Sequence, residues 1–357
     1  MAFITLDTRK LKSNFDYLNK LFGRNNIQWS IVTKMLCGHK GYLMEILSLG
    51  VKQICDSRIL NLKRIKEINP EIETIFIKPP AKWNLPEVIK YADISMNTEF
   101  ETIRRLSEEA QRQNKIHKII IMIELGELRE GVMGDDFIQF YENVFKLKNI
   151  RVVGIGANLS CLNGVLPNHD KLIQLCLYEQ LVEAKFDKKI DYVSGGSSVT
   201  IPLIINKLLP KGINHFRVGE TLFLGTDVYN DTPLKKMNTD VFKLHSEIIE
   251  LIEKPILPSG EMGTNVEGHA VELDEKLIGK TSYRAIIDIG LLDVEPKHLI
   301  PTDHEIAFAG ASSDMIVMDL GENSKGYKVG DLLEFNLTYM GTLRILNSKY
   351  VEKKIKK

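Results

Sequence analysis

Ser30-Ile31-Val32-Thr33-Lys34-Met35-Leu36-Cys37-Gly38-His39 is the stretch on which the fold turns. A β-branched apolar run ends in a lysine, and a turn containing glycine follows. In parallel α/β folds that position is the carboxyl end of a strand, where the chemistry collects. Lys34 is therefore a candidate Schiff-base lysine, set beside the plainer reading of a solvated residue just past a strand. The choice between them rests on whether the rest of the chain builds a barrel around it.

Outward from this stretch, β-branched runs alternate with amphipathic segments. Strands are predicted at Trp29 to Thr33, Gln53 to Cys55, Thr74 to Lys78, Asp93 to Met96, Lys118 to Glu124, Val152 to Ala157, Tyr192 to Ser194 and His215 to Val218. Helical segments separate them, such as Thr98 to Gln113 with Phe100, Ile103, Leu106 and Ala110 at helical spacing. About eight strand-helix units are the number that closes a parallel (β/α)8 TIM-type barrel. An open doubly wound sheet is the alternative, weakened because no GxGxxG turn follows an early strand.

After about Asp227 the pattern changes to strands with turn-rich links. These are Phe242 to Ile252, Ser282 to Ile289, Glu305 to Ala309, Asp314 to Leu320, Asp331 to Leu337 and Leu343 to Leu346. The expected organisation is a barrel over 8–227 and a mainly β domain over 228–357, joined by an N-terminal strand within 1–7. The lysine-rich end, Lys353-Lys354-Ile355-Lys356-Lys357, reads as a solvated tail.

Composition narrows the function. The chain has 357 residues, with 47 Lys+Arg against 47 Asp+Glu, so its formal net charge is +0. No basic field is available to hold nucleic acid or an anionic membrane surface, and a small-molecule partner fits better. No apolar run approaches the ~20 residues of a membrane span. The four cysteines have no metal-type spacing and the amino terminus has no signal-peptide pattern, so a reduced, cytoplasmic protein is expected.

A barrel collects its active site from several strand ends. Besides Lys34 these offer Glu124 through Arg129, Asn158, Gly195-Gly196-Ser197-Ser198 and Arg217-Val218-Gly219-Glu220. The last two supply what a phosphate needs after strands seven and eight: small residues with approachable backbone N–H groups, and hydroxyls. A phosphate facing a reactive lysine suggests pyridoxal 5'-phosphate. Plainer readings stand beside these. His39 packs near the turn or bonds backbone, Cys37 is a small buried residue, Asp314 a turn residue, Glu124 a solvated strand end, Arg129 a helix-start ion pair and Tyr339 a strand aromatic.

These motifs, in this order, resemble the alanine racemase-like fold type III pyridoxal-phosphate enzymes, and within them the ornithine racemase branch. Val32-Thr33-Lys34 matches the lysine strand, and Leu128-Arg129-Glu130-Gly131 the segment whose arginine contacts the substrate carboxylate. Ser194 to Ser198 resembles the phosphate serine loop, with Ser198 the best match and Ser197 beside it. Phe216 to Glu220 resembles the segment giving an arginine, Arg217, to the pyridine nitrogen and backbone N–H groups, at Gly219 and Glu220, to the phosphate. Ser313-Asp314 keeps the place of a segment that reaches a partner's active site, and Tyr339 that of a phosphate-touching tyrosine.

The resemblance also carries departures. The family's second-base tyrosine has as nearest counterpart Asn265-Val266-Glu267-Gly268, which puts Glu267 in its place. The gate tyrosine is lost in Gly290-Leu291-Leu292-Asp293, and Met122 stands where many alanine racemases carry a carbamylated lysine. The implied enzyme is an amino-acid racemase for ornithine or another cationic amino acid. It works as a homodimer with shared sites, with Lys34 and Glu267 handling protons and Asp293 and Glu295 adding negative potential near the entrance. A basic amino-acid decarboxylase and a non-catalytic pyridoxal-phosphate carrier are the alternatives.

Overall fold

The computed structural model describes residues 2–264, 268 and 274–357. The chain forms two compact units, one of residues 1–9 with 240–357 and one of residues 10–239. Strand β1 (Phe3–Asp7) leads into helix α1 (Thr8–Arg24), and the long unit then alternates strand and helix. It runs β2 (Gln28–Val32), α2 (Lys40–Ser48), β3 (Gln53–Asp56), α3 (Ile59–Ile68), β4 (Glu73–Phe76), α4 (Leu85–Tyr91), β5 (Ile94–Asn97), α5 (Phe100–Arg112), β6 (His117–Met122), α6 (Phe137–Phe145) and β7 (Ile150–Gly156). It closes with α7 (His169–Phe186), β8 (Tyr192–Ser194), β9 (Gly196–Ser197), α8 (Ile201–Ile205), β10 (His215–Val218), α9 (Glu220–Leu224) and a ribbon of β11 (Thr226–Asp227) and β12 (Thr232–Pro233).

Among the described residues the parallel sheet runs β8-β7-β6-β5-β4-β3-β2-β10-β9. Because β8 and β9 are separated only by Gly195, the chain itself closes this ring, and the predicted barrel is the fold. The glycines there have a packing cause. A Cβ on Gly196 would lie 2.3 Å from the Phe216 ring, and one on Gly195 would lie 2.9 Å from Ile213 Cδ1. Inside the barrel, Val32, Cys55, Ile75, Ile94, Met96, Ile120, Met122 and Val153 form a buried apolar cluster. Outside, Ile103, Leu106 and Ala110 bury the inner face of α5 at the predicted spacing.

The other unit is mainly β. It contains β13 (Phe242–Pro255), β14 (Thr281–Ile287), β15 (Leu299–Pro301), β16 (Ala307–Ala311), β17 (Ile316–Asp319), β18 (Leu332–Leu337), α10 (Tyr339–Asn347) and β19 (Glu352–Lys356). Its strands follow the order β15-β18-β13-β14-β17-β16, with β1 antiparallel to β13. Two expectations fail here. Leu343 to Leu346 is not a strand but the middle of α10, because Thr338 caps the helix and Thr342, Ile345 and Leu346 are buried at helical spacing. The lysine-rich end is not a solvated tail either, since β19 pairs in parallel with β1. Its lysines suit an edge strand, and Lys354 places its ammonium 3.7 Å from the centre of the Phe3 ring. Among the described residues no helix is long and apolar enough to cross a membrane.

Candidate active site

The lysine sector is built by strand register. In β10, Arg217 lies beside Ser30 of β2 on one side and beside Ser197 of β9 on the other. Three neighbouring strands therefore end together, and just past their ends lie Thr33-Lys34, Ser198 and Gly219. Lys34 is exposed and opens a single 3-10 turn. Thr33 just before it is buried and donates its hydroxyl to Asp56 Oδ2 at 2.9 Å. After the turn Cys37 and Gly38 take left-handed conformations, φ 50° and 71°. A Cβ on Gly38 would lie 2.5 Å from Asn61 Oδ1, so glycine is required there by space as well as by φ. His39 caps α2 by accepting the Tyr42 N–H at its Nδ1, 3.3 Å, the backbone-bonding reading of that residue.

Asp56 is fully buried. Burial pushes its carboxyl up to about 6, against donors from Arg58, Thr33, Asn61 and Ser57. Ser198 is nearly buried and its Oγ accepts the Thr221 N–H at 3.2 Å, tying the serine loop to the start of α9. Ser197 caps the turn that follows it. At Gly219 a Cβ would come within 3.0 Å of the Val32 carbonyl oxygen, so the backbone lies against the lysine strand. Glu220 is half-buried. Its carboxyl is pushed up by burial and drawn back by the Lys34 charge, which places the two groups in one field.

Arg217 is buried, and among the described residues every hydrogen bond it donates goes to a neutral oxygen. Nη1 donates to the Ser194 carbonyl at 2.8 Å and to Ser194 Oγ, and Nη2 to the Ala157 carbonyl at 2.8 Å and Asn158 Oδ1 at 3.4 Å. Burial lowers its pKa, while Cys55 and Glu130 oppose that fall. Its guanidinium offers only donors.

The sector after β6 and β7 is organised differently, by carboxylates. Glu124 is not a solvated strand end. Its oxygens accept the N–H groups of Gly126 at 2.6 Å, Leu128 at 2.9 Å and Arg129 at 3.3 Å. Glu127 is buried and holds the following loop through the N–H groups of Ser160, Cys161, Leu162, Asn163 and Val165. Burial raises its pKa, but these donors outweigh it and hold the carboxyl at about 2. Arg129 pairs through Nε with Glu130 at 2.9 Å and donates Nη1 to Cys161 Sγ at 2.8 Å. Asn158 donates to the other Glu130 oxygen at 3.0 Å. Arg129, Glu130, Asn158 and Arg217 thus form one continuous polar path.

The structure therefore brings together Lys34, Ser197, Ser198, Arg217, Gly219 and Glu220, with Asn158 and Arg129 on the connected path. Ser313, Asp314 and Tyr339 lie in the β unit. Ser313 donates to Asp314 Oδ2 at 2.8 Å in the exposed turn before β17. Tyr339 opens α10 and is no strand aromatic. Glu267 lies outside the described residues. Glu295 is ion-paired with Lys297 and Arg344, which offsets its charge, while Asp293 accepts the Ser348 hydroxyl, a neutral donor. Sequence reading missed Asp56 and the role of Glu127, whose loop partners lie more than 30 residues away and leave no local motif.

Residues 6–227 match the family described as alanine racemase, N-terminal domain. The chain belongs to this family. It is 37% identical over 353 residues to the ornithine racemase of Acetoanaerobium sticklandii, covering 99% of each chain. It is 30% identical over 350 residues to the lysine racemase of Thermotoga maritima, covering 98% of this chain and 97% of that one. The alanine racemase of Bartonella henselae, solved with covalently bound pyridoxal phosphate, superposes with a TM-score of 0.75 at 18% identity, covering 99% of each chain. That last likeness is one of fold.

Proposed function

We propose that this family member is a pyridoxal-phosphate-dependent amino-acid racemase whose substrate is ornithine or another cationic amino acid. The observation that carries the reading is the register of β2, β10 and β9, which sets Lys34, Gly219 and Ser198 at three neighbouring strand ends. The donor set suits the cofactor: a lysine for its carbonyl carbon, hydroxyls and backbone N–H groups for its phosphate, and a buried arginine for its ring nitrogen. When bound, pyridoxal phosphate supplies an electron sink that acidifies the α-carbon of an attached amino acid.

Within that frame Lys34 Nζ would hold the resting cofactor and, once displaced by the substrate's amino group, would as a free amine move the α-proton on one face. Ser197, Ser198 and the N–H groups of Gly219 and Glu220 hold the phosphate, with Tyr339 as a further phosphate contact. Arg217 donates to the ring nitrogen and cannot protonate it fully, because its own proton does not leave at working pH. Asn158 orients Arg217, and Arg129 takes the substrate carboxylate. Glu267 is assigned the proton on the opposite face, and Ser313 with Asp314 the substrate side chain. The last three are assigned across the interface of a homodimer. Leu128, Met133 and Leu162, exposed by 70%, 55% and 66% on the barrel loops, suit cover by a second copy. Free thiols at Cys55, Cys161 and Cys176 suit a cytoplasmic enzyme.

Chiral chromatography of L-ornithine, L-lysine and L-alanine after incubation with the purified protein tests this. Higher kcat/KM for ornithine or lysine than for alanine is expected. Higher efficiency on alanine removes the substrate assignment, and no D-product from a cofactor-loaded enzyme removes the racemase reading. Light scattering at twice the chain mass is expected for the dimer.

A further inference from the structure

Below Arg217 the barrel interior carries a line of polar side chains that the reaction itself does not use. Glu73 and Lys118 lie at the amino ends of β4 and β6 and pair at 3.0 Å. Gln53 Nε2 donates to Glu73 Oε2 at 2.7 Å. His215 Nε2 lies 2.8 Å from Gln53 Oε1 and 2.9 Å from Ser30 Oγ. His215 Nδ1 lies 2.7 Å from Ser194 Oγ, which in turn accepts from Arg217. Gln53, Ser30, His215, Ser194 and Arg217 are all buried.

The direction of this line is fixed at its two ends. An ionised carboxylate only accepts, so Gln53 turns its amide nitrogen to Glu73 and its oxygen inward. Ser30 donates to that oxygen, leaving its own lone pair for His215. His215 Nε2 faces two acceptors and must carry the proton. Its Nδ1 is then an acceptor, and the Ser194 hydroxyl donates a hydrogen bond to it. Ser194 Oγ keeps its lone pair for the guanidinium, which can only donate. Burial, then the Arg217 charge, pull the pKa of His215 down to about 3, so the ring is neutral.

We propose that His215, Gln53 and Glu73 are positioning residues for Arg217: a one-way chain of hydrogen bonds fixes the guanidinium from the opposite mouth of the barrel. The proposal rests on the reading of Arg217 as the partner of the cofactor ring nitrogen. Among the described residues this buried arginine is held by neutral acceptors and not by an ion pair, and a polarised chain fixes its pose without supplying a competing charge.

Two measurements test it. In histidine-15N-labelled protein at pH 7, the His215 resonance, assigned by its loss in His215→Asn, is expected as the neutral Nε2–H tautomer. A neutral Nδ1–H tautomer or a doubly protonated ring overturns the chain. This measurement needs no turnover, so it stands apart from failure of the racemase reading. In the holoenzyme, Glu73→Gln frees the Gln53 amide to reverse. The expected result is a three- to tenfold lower kcat, KM within twofold, and a shifted absorbance of the bound cofactor. Glu71→Gln, at the same mouth but outside the chain, is the control and is expected to match wild type. Unaltered kcat and absorbance in Glu73→Gln, or equal losses in both variants, overturn the positioning role.

Discussion

The two halves of the barrel mouth are assembled by different means. Around β2, β10 and β9 the chemistry is placed by backbone register: residues at adjacent strand ends meet because the strands pair. Around β6 and β7 it is placed by side chains, with Glu124 and Glu127 gathering backbone N–H groups of loops and Glu130 gathering Arg129 and Asn158. Register is a property of the whole sheet and resists single substitutions, whereas a carboxylate-held loop depends on one residue. The first half should therefore fail by losing chemistry with its shape intact. The second should fail by losing shape.

The largest expected effect is in the register-built half. Lys34→Ala should lower kcat by a factor of about 10³ or more, because no other lysine lies at that strand end. Circular dichroism and urea midpoint should match wild type. A variant that keeps more than a tenth of wild-type racemisation would break the assignment. Next comes Arg129→Lys, which loses the planar fork but keeps the charge. A fall in kcat/KM of about 10- to 100-fold, carried mostly by KM, is expected in steady-state kinetics. An effect confined to kcat would argue that Arg129 serves the loop and not the substrate carboxylate.

Glu127→Ala probes the carboxylate-built half. It strands several loop N–H groups that are now satisfied, and a loss of about 2–4 kcal/mol is expected in urea unfolding. Cofactor absorbance at saturating pyridoxal phosphate should survive, since the phosphate loops belong to the other half. Loss of cofactor with unaltered stability would invert the comparison.

The same division explains what the sequence disclosed. Lys34, the Ser194 to Ser198 loop and Arg217 to Glu220 were legible because a strand end and a glycine-rich turn are local patterns, and the order of eight units fixes which strands meet. The glycines at 195 and 196 read as a phosphate turn, yet their immediate cause is the approach of Ile213 and the Phe216 ring. The role of Glu127 was not legible, because a carboxylate reaching backbone more than 30 residues away leaves no motif. Leu343 to Leu346 was misread because a short apolar run fits strand and helix alike, and the cap at Thr338 decides it. The terminal lysines were misread because charge runs are usually solvated, and only pairing with β1 makes them an edge strand.

The smallest expected effect sets two buried carboxylates, one from each half, against each other. Asp56, beneath Thr33, is raised by burial to about 6, so between its unfolded value near 3.9 and 6 the native state binds more protons than the unfolded chain. Its contribution to stability is complete below about pH 3.9 and is lost as pH rises through 6. Glu127 is held at about 2, so between 2 and its unfolded value near 4.3 the unfolded chain binds more protons. Its contribution is complete above about pH 4.3 and is lost as pH falls through 2. The stability difference between wild type and Asp56→Asn should therefore shrink from pH 4 to pH 6.5. The difference between wild type and Glu127→Gln should be nearly flat from about pH 5 to pH 6.5 and shrink from about pH 4.3 toward pH 2.5. Urea midpoints across this series measure both slopes. Parallel slopes would mean that the two carboxylates share one kind of environment, and the contrast between a buried strand-end acid and a donor-saturated loop acid would fall.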